Sequence, residues 1–396
     1  MTSDGPPPSP VDRQEFQARQ ARLAGALAAR GLDAALVLHA VDLYWLAGTR
    51  QNAALWLPAR GRPALLVRRS LSRARAEAAI EDVRAFPSSR DLAAALPGAR
   101  IGVTLDAVPA ATVAWWQRQL PGAALEDLSG ELRALRSVKS ASELATMRGG
   151  ARRLGAVLGE VPTFLRAGMT ELELAAELER RLRLAGNEGS PRMRAFNAEL
   201  HGGLAVAGEA AAAPGFFDGP VVGRGLHPAY PLGASRRPIA AGEPVICDYT
   251  FVTGGYVVDM TRTAVCGPVD PRIARAHDAS RRIQEAVAAL LRPGVAATAP
   301  WERALALAAE AGLGDAFMGP PGEQARFVGH GIGLELDELP VLAPGSRAVL
   351  EAGQTVAVEP KFVLPGLGAV GVENSFVVTE RGGERLDDLS DDLLRA

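Results

Sequence analysis

Four carboxylates and one imidazole stand out in this chain for what their placement could do. Asp248 and Asp259 lie in "CDYTFVTGGYVVDMTRT" (247–263), inside two runs of β-branched and aromatic residues separated by Gly254-Gly255. A two-residue glycine turn pairs Thr253 with Tyr256 and Asp248 with Thr261. Side chains alternate along a strand, so Asp259 shares a face with Thr261 and becomes a diagonal neighbour of Asp248. Two carboxylates removed from water together repel, and one must take a proton unless a cation joins them. Two later stretches, "VAVEP" and "VENSFVVTE", supply Glu359 and Glu373. Four hard oxygen donors exceed what one ion needs, and a pair of divalent ions is the natural occupant. His330, between glycines in "GHGIGLEL", is the candidate nitrogen ligand.

The elements that must position these groups fall into two parts. Residues 16–137 alternate helix-like and strand-like segments: "FQARQARLAGALAARGL" is an amphipathic helix, and "DAALVLHA", "AALWLPARGRPALLVRR" and "ARIGVTLDA" read as strands. That order predicts a small α/β domain. Ser140 and Glu143 form a capping-box pattern, so a new helix opens there and the second domain runs over 138–396. Within it, "LRAGMTELELAAELERRLRLAG" (165–186) resembles "LRPGVAATAPWERALALAAEAG" (291–312), and "AGEPVICD" (241–248) resembles "AGQTVAVE" (352–359). The parallel implies two pseudo-equivalent halves, each with helices and an antiparallel hairpin. Residues 1–15, rich in proline, read as a disordered tail.

Composition excludes several classes. The chain has 396 residues, 48% of them hydrophobic, with a formal net charge of −2. That balance gives no sign of a nucleic-acid or anionic-membrane partner. No apolar run is long enough to span a bilayer, and no secretory leader is recognisable, so a cytoplasmic location is expected. Two cysteines make no disulfide framework. Lysine occurs only at Lys139 and Lys361, which reads as base-composition bias rather than as a mark of a site.

The ordered set resembles the pita-bread metallopeptidases, and more closely the aminopeptidase P and prolidase branch that carries a creatinase-type N-terminal domain. "VKSASELATMR" is similar to that family's linker helix, the aspartate hairpin ends in the family's Asp-x-Thr-Arg-Thr, and "GHGIGLEL", "VAVEP" and "VENSFVVTE" match its histidine loop and glutamate strands. The resemblance implies an α+β protein whose pita-bread catalytic domain has a pseudo-twofold repeat. It implies that Asp248 chelates one ion, that His330 and Glu359 bind the other, that Asp259 and Glu373 bridge, and that Glu359 is the general base. Two divalent ions are implied, manganese foremost, with cobalt, zinc or iron as alternatives. The implied substrate is an Xaa-Pro dipeptide or short peptide, and the implied assembly a homodimer.

Departures from the pattern fall on the substrate side. Leu232 replaces one family histidine, Asp337 replaces another, and Gly371 stands where many Xaa-Pro enzymes have arginine. Asp337 would then present a carboxylate to a cationic group of the substrate. His227 offers a replacement imidazole, although a surface-loop histidine is the plainer reading. Arg50, in "LYWLAGTRQNAALW", is a candidate partner for a dipeptide carboxylate, set against a solvated surface arginine. Two other readings stay open: a pita-bread protein that binds a ligand or partner without peptidase activity, and a hydrolase of a small non-peptide amide.

Overall fold

The computed structural model describes residues 13–396. The chain divides at Arg136/Ser137 into two units, each with its own core. The first helix, Arg13–Arg30, begins three residues inside the segment assigned to the tail. The rest of that segment, 1–12, lies outside the described residues.

The first unit is built on a mixed six-stranded sheet. Its strands are β1 (Ala34–Val37), β2 (Ala53–Pro58), β3 (Ala64–Val67), β4 (Asp82–Ala85), β5 (Arg100–Val103) and β6 (Ala124–Asp127), in the order β4-β3-β2-β1-β5-β6. β1, β2 and β3 pair antiparallel; the outer strands join in parallel. The runs "AALV" and "ALLV" are buried at every position, as strands covered on both faces must be. Leu36, Trp56, Leu66, Ile101 and Trp116 meet in one of this unit's apolar clusters.

The second unit opens as its sequence predicts. Ser140 and Glu143 complete a capping box at the start of the Ala141–Gly159 helix. Its strands are β7 (Gly203–Ala207), β8 (Pro244–Thr253), β9 (Tyr256–Val265), β10 (Gly329–Gly331), β11 (Glu338–Leu342), β12 (Thr355–Val358), β13 (Lys361–Leu364), β14 (Gly368–Gly371), β15 (Asn374–Thr379), β16 (Gly382–Arg385) and β17 (Leu394–Arg395). They form sheets β17-β9-β8-β7 and β11-β10-β12-β15-β16, with β13-β14 as a separate ribbon. The paired halves read from the sequence are here: the helices Glu171–Leu184 and Thr298–Glu310, and the hairpin-like pairs β8/β9 and β12/β15. The result is the α+β pita-bread architecture preceded by a smaller α/β domain.

What positions the chemistry is the seam between the two large sheets. Thr261 of β9 bridges Glu373, just before β15, through a reciprocal pair of backbone hydrogen bonds of 3.3 and 3.1 Å. β9 is buried along its whole length. Fully buried Tyr249 and Phe251 anchor β8 beside it, each such side chain contributing about 1.5–3 kcal/mol. The carboxylates therefore stand on strands that are fixed by packing on both sides.

Candidate metal centre

The hairpin register is the one its turn dictates. Gly254 and Gly255 have φ of 56° and 79°, the left-handed pair that a type I′ turn requires. Thr253 faces Tyr256, Asp248 faces Thr261 and Thr250 faces Asp259. Asp248 and Asp259 thus project from one side of the hairpin, Asp259 buried and Asp248 partly exposed. The second pair of strands completes the set. His330 on β10 pairs with Ala357 of β12, Glu359 follows β12, and Glu373 is held at the seam. Gly329 and Gly331 are small for a packing reason: a Cβ on either would lie within 2.4 Å of a neighbouring strand's carbonyl oxygen.

Local hydrogen bonds aim these groups. His330 Nδ1 lies 3.0 Å from the Gly331 carbonyl oxygen. A carbonyl only accepts, so Nδ1 is the donor there, and Nε2 is the ring nitrogen that faces Glu359 Oε1, 3.6 Å away, and is placed to serve as a metal ligand. Thr261 Oγ1 donates to Glu373 Oε2 at 2.8 Å. Glu373 Oε1 is buried and has no hydrogen-bond partner among the described residues. Asp259, His330 and Glu373 each offer a ligand atom within 4.8 Å of the others, the geometry of a single ion's donor set. A buried carboxylate oxygen without a partner is costly unless something positive meets it. These residues fit a divalent cation.

The structure adds a residue to this site that the sequence reading had set aside. The Lys361 ammonium lies 2.6 Å from Glu359 Oε2, 2.8 Å from Glu373 Oε2 and 3.1 Å from Asp248 Oδ2. An ammonium has three donors, and three carboxylates surround it. Lys361 is 1% exposed. Burial pulls its pKa down, but Asp248, Glu359 and Glu373 outweigh that and hold it well above the usual lysine range. One ammonium does not neutralise the cluster. Burial pushes Asp248 up against the pull of Lys361. Burial, Glu373 and Asp248 together push Asp259 well up. Burial and Glu359 push Glu373 up. The site remains short of positive charge with its lysine in place. A sequence signal for Lys361 existed: it stands two residues after Glu359, the spacing that returns a side chain to the same face of an extended chain.

Within the second unit, Asp337, His227 and Leu232 are not among the residues of this donor cluster. A cleft of about 230 Å³ opens over the carboxylates, and Met193, Leu204, Phe217, Phe327 and Val341 supply apolar wall. Asp337 also lines it, but its oxygens accept from Arg194 N at 2.8 Å and Ala195 N at 2.9 Å, so it ties down the segment that carries Met193. His227 is exposed and lies along a neighbouring cleft with His201, Tyr230 and Leu232. Neither His227 nor Leu232 lines the carboxylate cleft. Arg50 is an exposed residue of the first unit. Gly371 lies opposite Lys361 on the β13/β14 ribbon, and a Cβ there would come within 2.5 Å of Lys361 Cγ.

Comparison with known proteins agrees with the architecture and extends it. The probable dipeptidase PepE of Mycobacterium tuberculosis is 30% identical over 407 residues, covering 97% of each chain. The crystal structure of dipeptidase PepE from Mycobacterium ulcerans superposes with a TM-score of 0.80 at 28% identity, over 97% of this chain and 98% of that one. The Xaa-Pro dipeptidase from Bacillus anthracis, at 24% identity, shares the fold with a TM-score of 0.82 over 96% of this chain and 100% of that one. Residues 19–138 match the creatinase/prolidase N-terminal domain. With residues 145–380, the span that holds every carboxylate of the cluster, matching metallopeptidase family M24, the chain belongs to that family of peptidases.

Proposed function

We propose that this protein hydrolyses dipeptides or short peptides of the Xaa-Pro type, using divalent metal held by Asp259, His330 and Glu373 with Glu359 beside them. The observation that carries the proposal is the buried, unpartnered Glu373 Oε1, on a residue that offers a ligand atom within 4.8 Å of those of Asp259 and His330. The oxygen-rich donor set with one imidazole suits manganese, and also cobalt, zinc or iron. When bound, such an ion polarises the scissile carbonyl and makes water more acidic. Lys361 anchors Glu359 through Oε2, which leaves Oε1 as the oxygen that takes a proton from the attacking water. The water oxygen bonds to the carbonyl carbon, the C–N bond breaks, and Glu359 Oε1 passes that proton to the departing amine. The apolar wall accommodates a proline ring or an aliphatic side chain. The cleft is smaller than the roughly 300–1,000 Å³ typical of drug-sized ligands, which favours a substrate of dipeptide size.

The names of the relatives support the same substrate class: dipeptidase and Xaa-Pro dipeptidase. The two ions and the homodimer that the resemblance suggests, and the cytoplasmic location expected from the sequence, belong to this proposal too; no helix among the described residues is long and apolar enough to cross a membrane. A second reading, ligand binding without peptide hydrolysis, draws on Asp337, whose hydrogen bonds go to the chain's own backbone. Assay of Xaa-Pro, Xaa-Ala and longer peptides with manganese-loaded protein, and with Glu359→Gln, decides between them. Turnover lost in Glu359→Gln supports hydrolysis; saturable peptide binding with no cleavage supports the second reading.

A further inference from the structure

We infer that the Lys361 ammonium is a built-in cation that takes the place of one of the two metal ions, so that the centre holds a single divalent ion per chain. This rests on the metal-dependent reading above and revises its ion count. The four carboxylates divide their oxygens between two positive partners. Glu359 Oε2, Glu373 Oε2 and Asp248 Oδ2 converge on Lys361 Nζ at 2.6, 2.8 and 3.1 Å. The opposite oxygens of the two glutamates are turned away from the lysine: Glu359 Oε1 faces His330 Nε2, and Glu373 Oε1 has no hydrogen-bond partner among the described residues. Asp259 and His330 complete that second group. One set of oxygens is occupied by the ammonium; in the other, Asp259 Oδ1 accepts from Met260 N at 2.9 Å and Glu373 Oε1 is open.

Two features show that the ammonium is a fixture. Its side chain is 1% exposed, so it has no path to solvent that leaves the packing undisturbed. Its stem fills space that the opposite strand leaves empty, since a Cβ on Gly371 would lie 2.5 Å from Lys361 Cγ and 3.0 Å from Lys361 Cα. A second ion bound through Asp248 would have to share the same carboxylate oxygens with the ammonium at close range, where like charges repel. Formal charge agrees. Four carboxylates carry −4; the ammonium and one divalent ion supply +3, whereas two ions with the ammonium would leave the centre positive. Arginine would not serve at 361, because its planar fork matches one carboxylate edge-on, whereas a compact ammonium directs three donors at three separate carboxylates.

The test is ion stoichiometry. Protein purified without chelator is analysed for metal content, and chelator-stripped protein is titrated with Mn²⁺ by calorimetry. The wild type is expected to bind one ion per chain. Lys361→Met keeps the stem and removes the charge, and is expected to bind two. Asp248→Asn, which touches the lysine but lies outside the Asp259–His330–Glu373 group, is expected to keep one ion with its affinity changed less than about threefold. That variant keeps the test open if Lys361→Met does not fold. Two ions in the wild type overturn the inference and leave the metal-dependent function standing. A folded Lys361→Met that still binds one ion also overturns it, as does loss of the single ion in Asp248→Asn. No ion in the wild type removes both this inference and the metal-dependent reading beneath it.

Discussion

Asp337→Ala separates a carboxylate that binds substrate from one that holds a wall in place. In the structure Asp337 accepts from Arg194 N and Ala195 N at 2.8 and 2.9 Å. The same segment is tied by the Leu336 N–H to the Arg192 carbonyl at 2.8 Å. A hydrogen bond to a charged group is worth about 1.5–3 kcal/mol. The two here share one carboxylate that is partly open to water, and water can replace it at the exposed amide of Ala195. The loss is therefore about 2 kcal/mol rather than the sum of two full bonds. It falls on local opening of the 192–195 segment, since the strands beneath are held independently. Two kcal/mol corresponds to roughly 30-fold less protection of the Arg194 and Ala195 amides against hydrogen exchange. Because Met193 is part of the cleft wall, KM should rise for neutral and basic dipeptides alike, with kcat and metal content nearly unchanged. Unaltered exchange at 194 and 195, together with selective loss of basic substrates, would refute the reasoning and return Asp337 to a substrate-binding role.

Three further outcomes follow from buried charge. Asp259 has a pKa raised by burial first and then by Glu373 and Asp248, so its stabilising contribution is fully present below its unfolded value of about 4 and is lost as pH rises through the folded one; in chelator at pH 7, Asp259→Asn should melt at or above the wild type. Saturating Mn²⁺ should reverse that order, since ligand at 100 times its Kd adds about 2.7 kcal/mol to the native state, and thermal melts in both buffers check it. Arg262 is fully buried and spends its donors on Thr261 O, Glu373 O, Asn374 Oδ1, Leu389 O and Ser390 O; Arg262→Leu should cost about 3–5 kcal/mol, or roughly 10 °C in Tm, and expose the 387–391 segment to protease. His277 is held down to about 4 by burial first and then by Arg281, so stability present above its unfolded value of about 6.5 is lost as pH falls toward 4. About 2 kcal/mol should be gone by pH 5, and His277→Gln should flatten that slope in urea titrations between pH 7 and 5; an equal slope in both proteins would assign it to other groups.

What could be read from the sequence was what local rules determine. Two adjacent glycines fixed the turn, the turn fixed the register, and strand alternation put Asp248 and Asp259 on one side, as the Asp248–Thr261 pairing shows. The capping box at Ser140 was equally local. Asp337 was different. Its partners lie 143 and 142 residues earlier in the chain, in a loop with no periodicity to announce which side chain would reach it. Leu232 and His227 were equally illegible in place: the chain carries both along the neighbouring cleft, and motif spacing does not say which cleft a position will line.

Lys361 is the instructive omission, because both signals for it were present. Base-composition bias explains why exposed basic positions carry arginine, but it does not explain where the only two lysines are. Neither is on the surface: Lys139 is buried against Glu338 at 2.8 Å, and Lys361 is buried among three carboxylates. In a chain with 43 basic residues, both lysines sit where there is little room, and at Lys361 three carboxylates converge on a compact ammonium that a guanidinium would not replace. Its spacing from Glu359 then names which carboxylates. The glycine at 371 belongs to the same argument, since the strand opposite must be bare for the lysine stem to lie where it does. Lys361→Gly combined with Gly371→Arg moves the positive charge to the opposite strand and removes the Lys361 Cγ contact, leaving the new Cβ 2.9 Å from the Pro360 carbonyl oxygen, so a thermal melt must accompany the ion count. If the ammonium's position among the three carboxylates is what limits the centre to one ion, this exchange should raise Mn²⁺ stoichiometry toward two without a change in net charge. An unchanged count would mean that total charge, wherever it is placed, sets the number of ions.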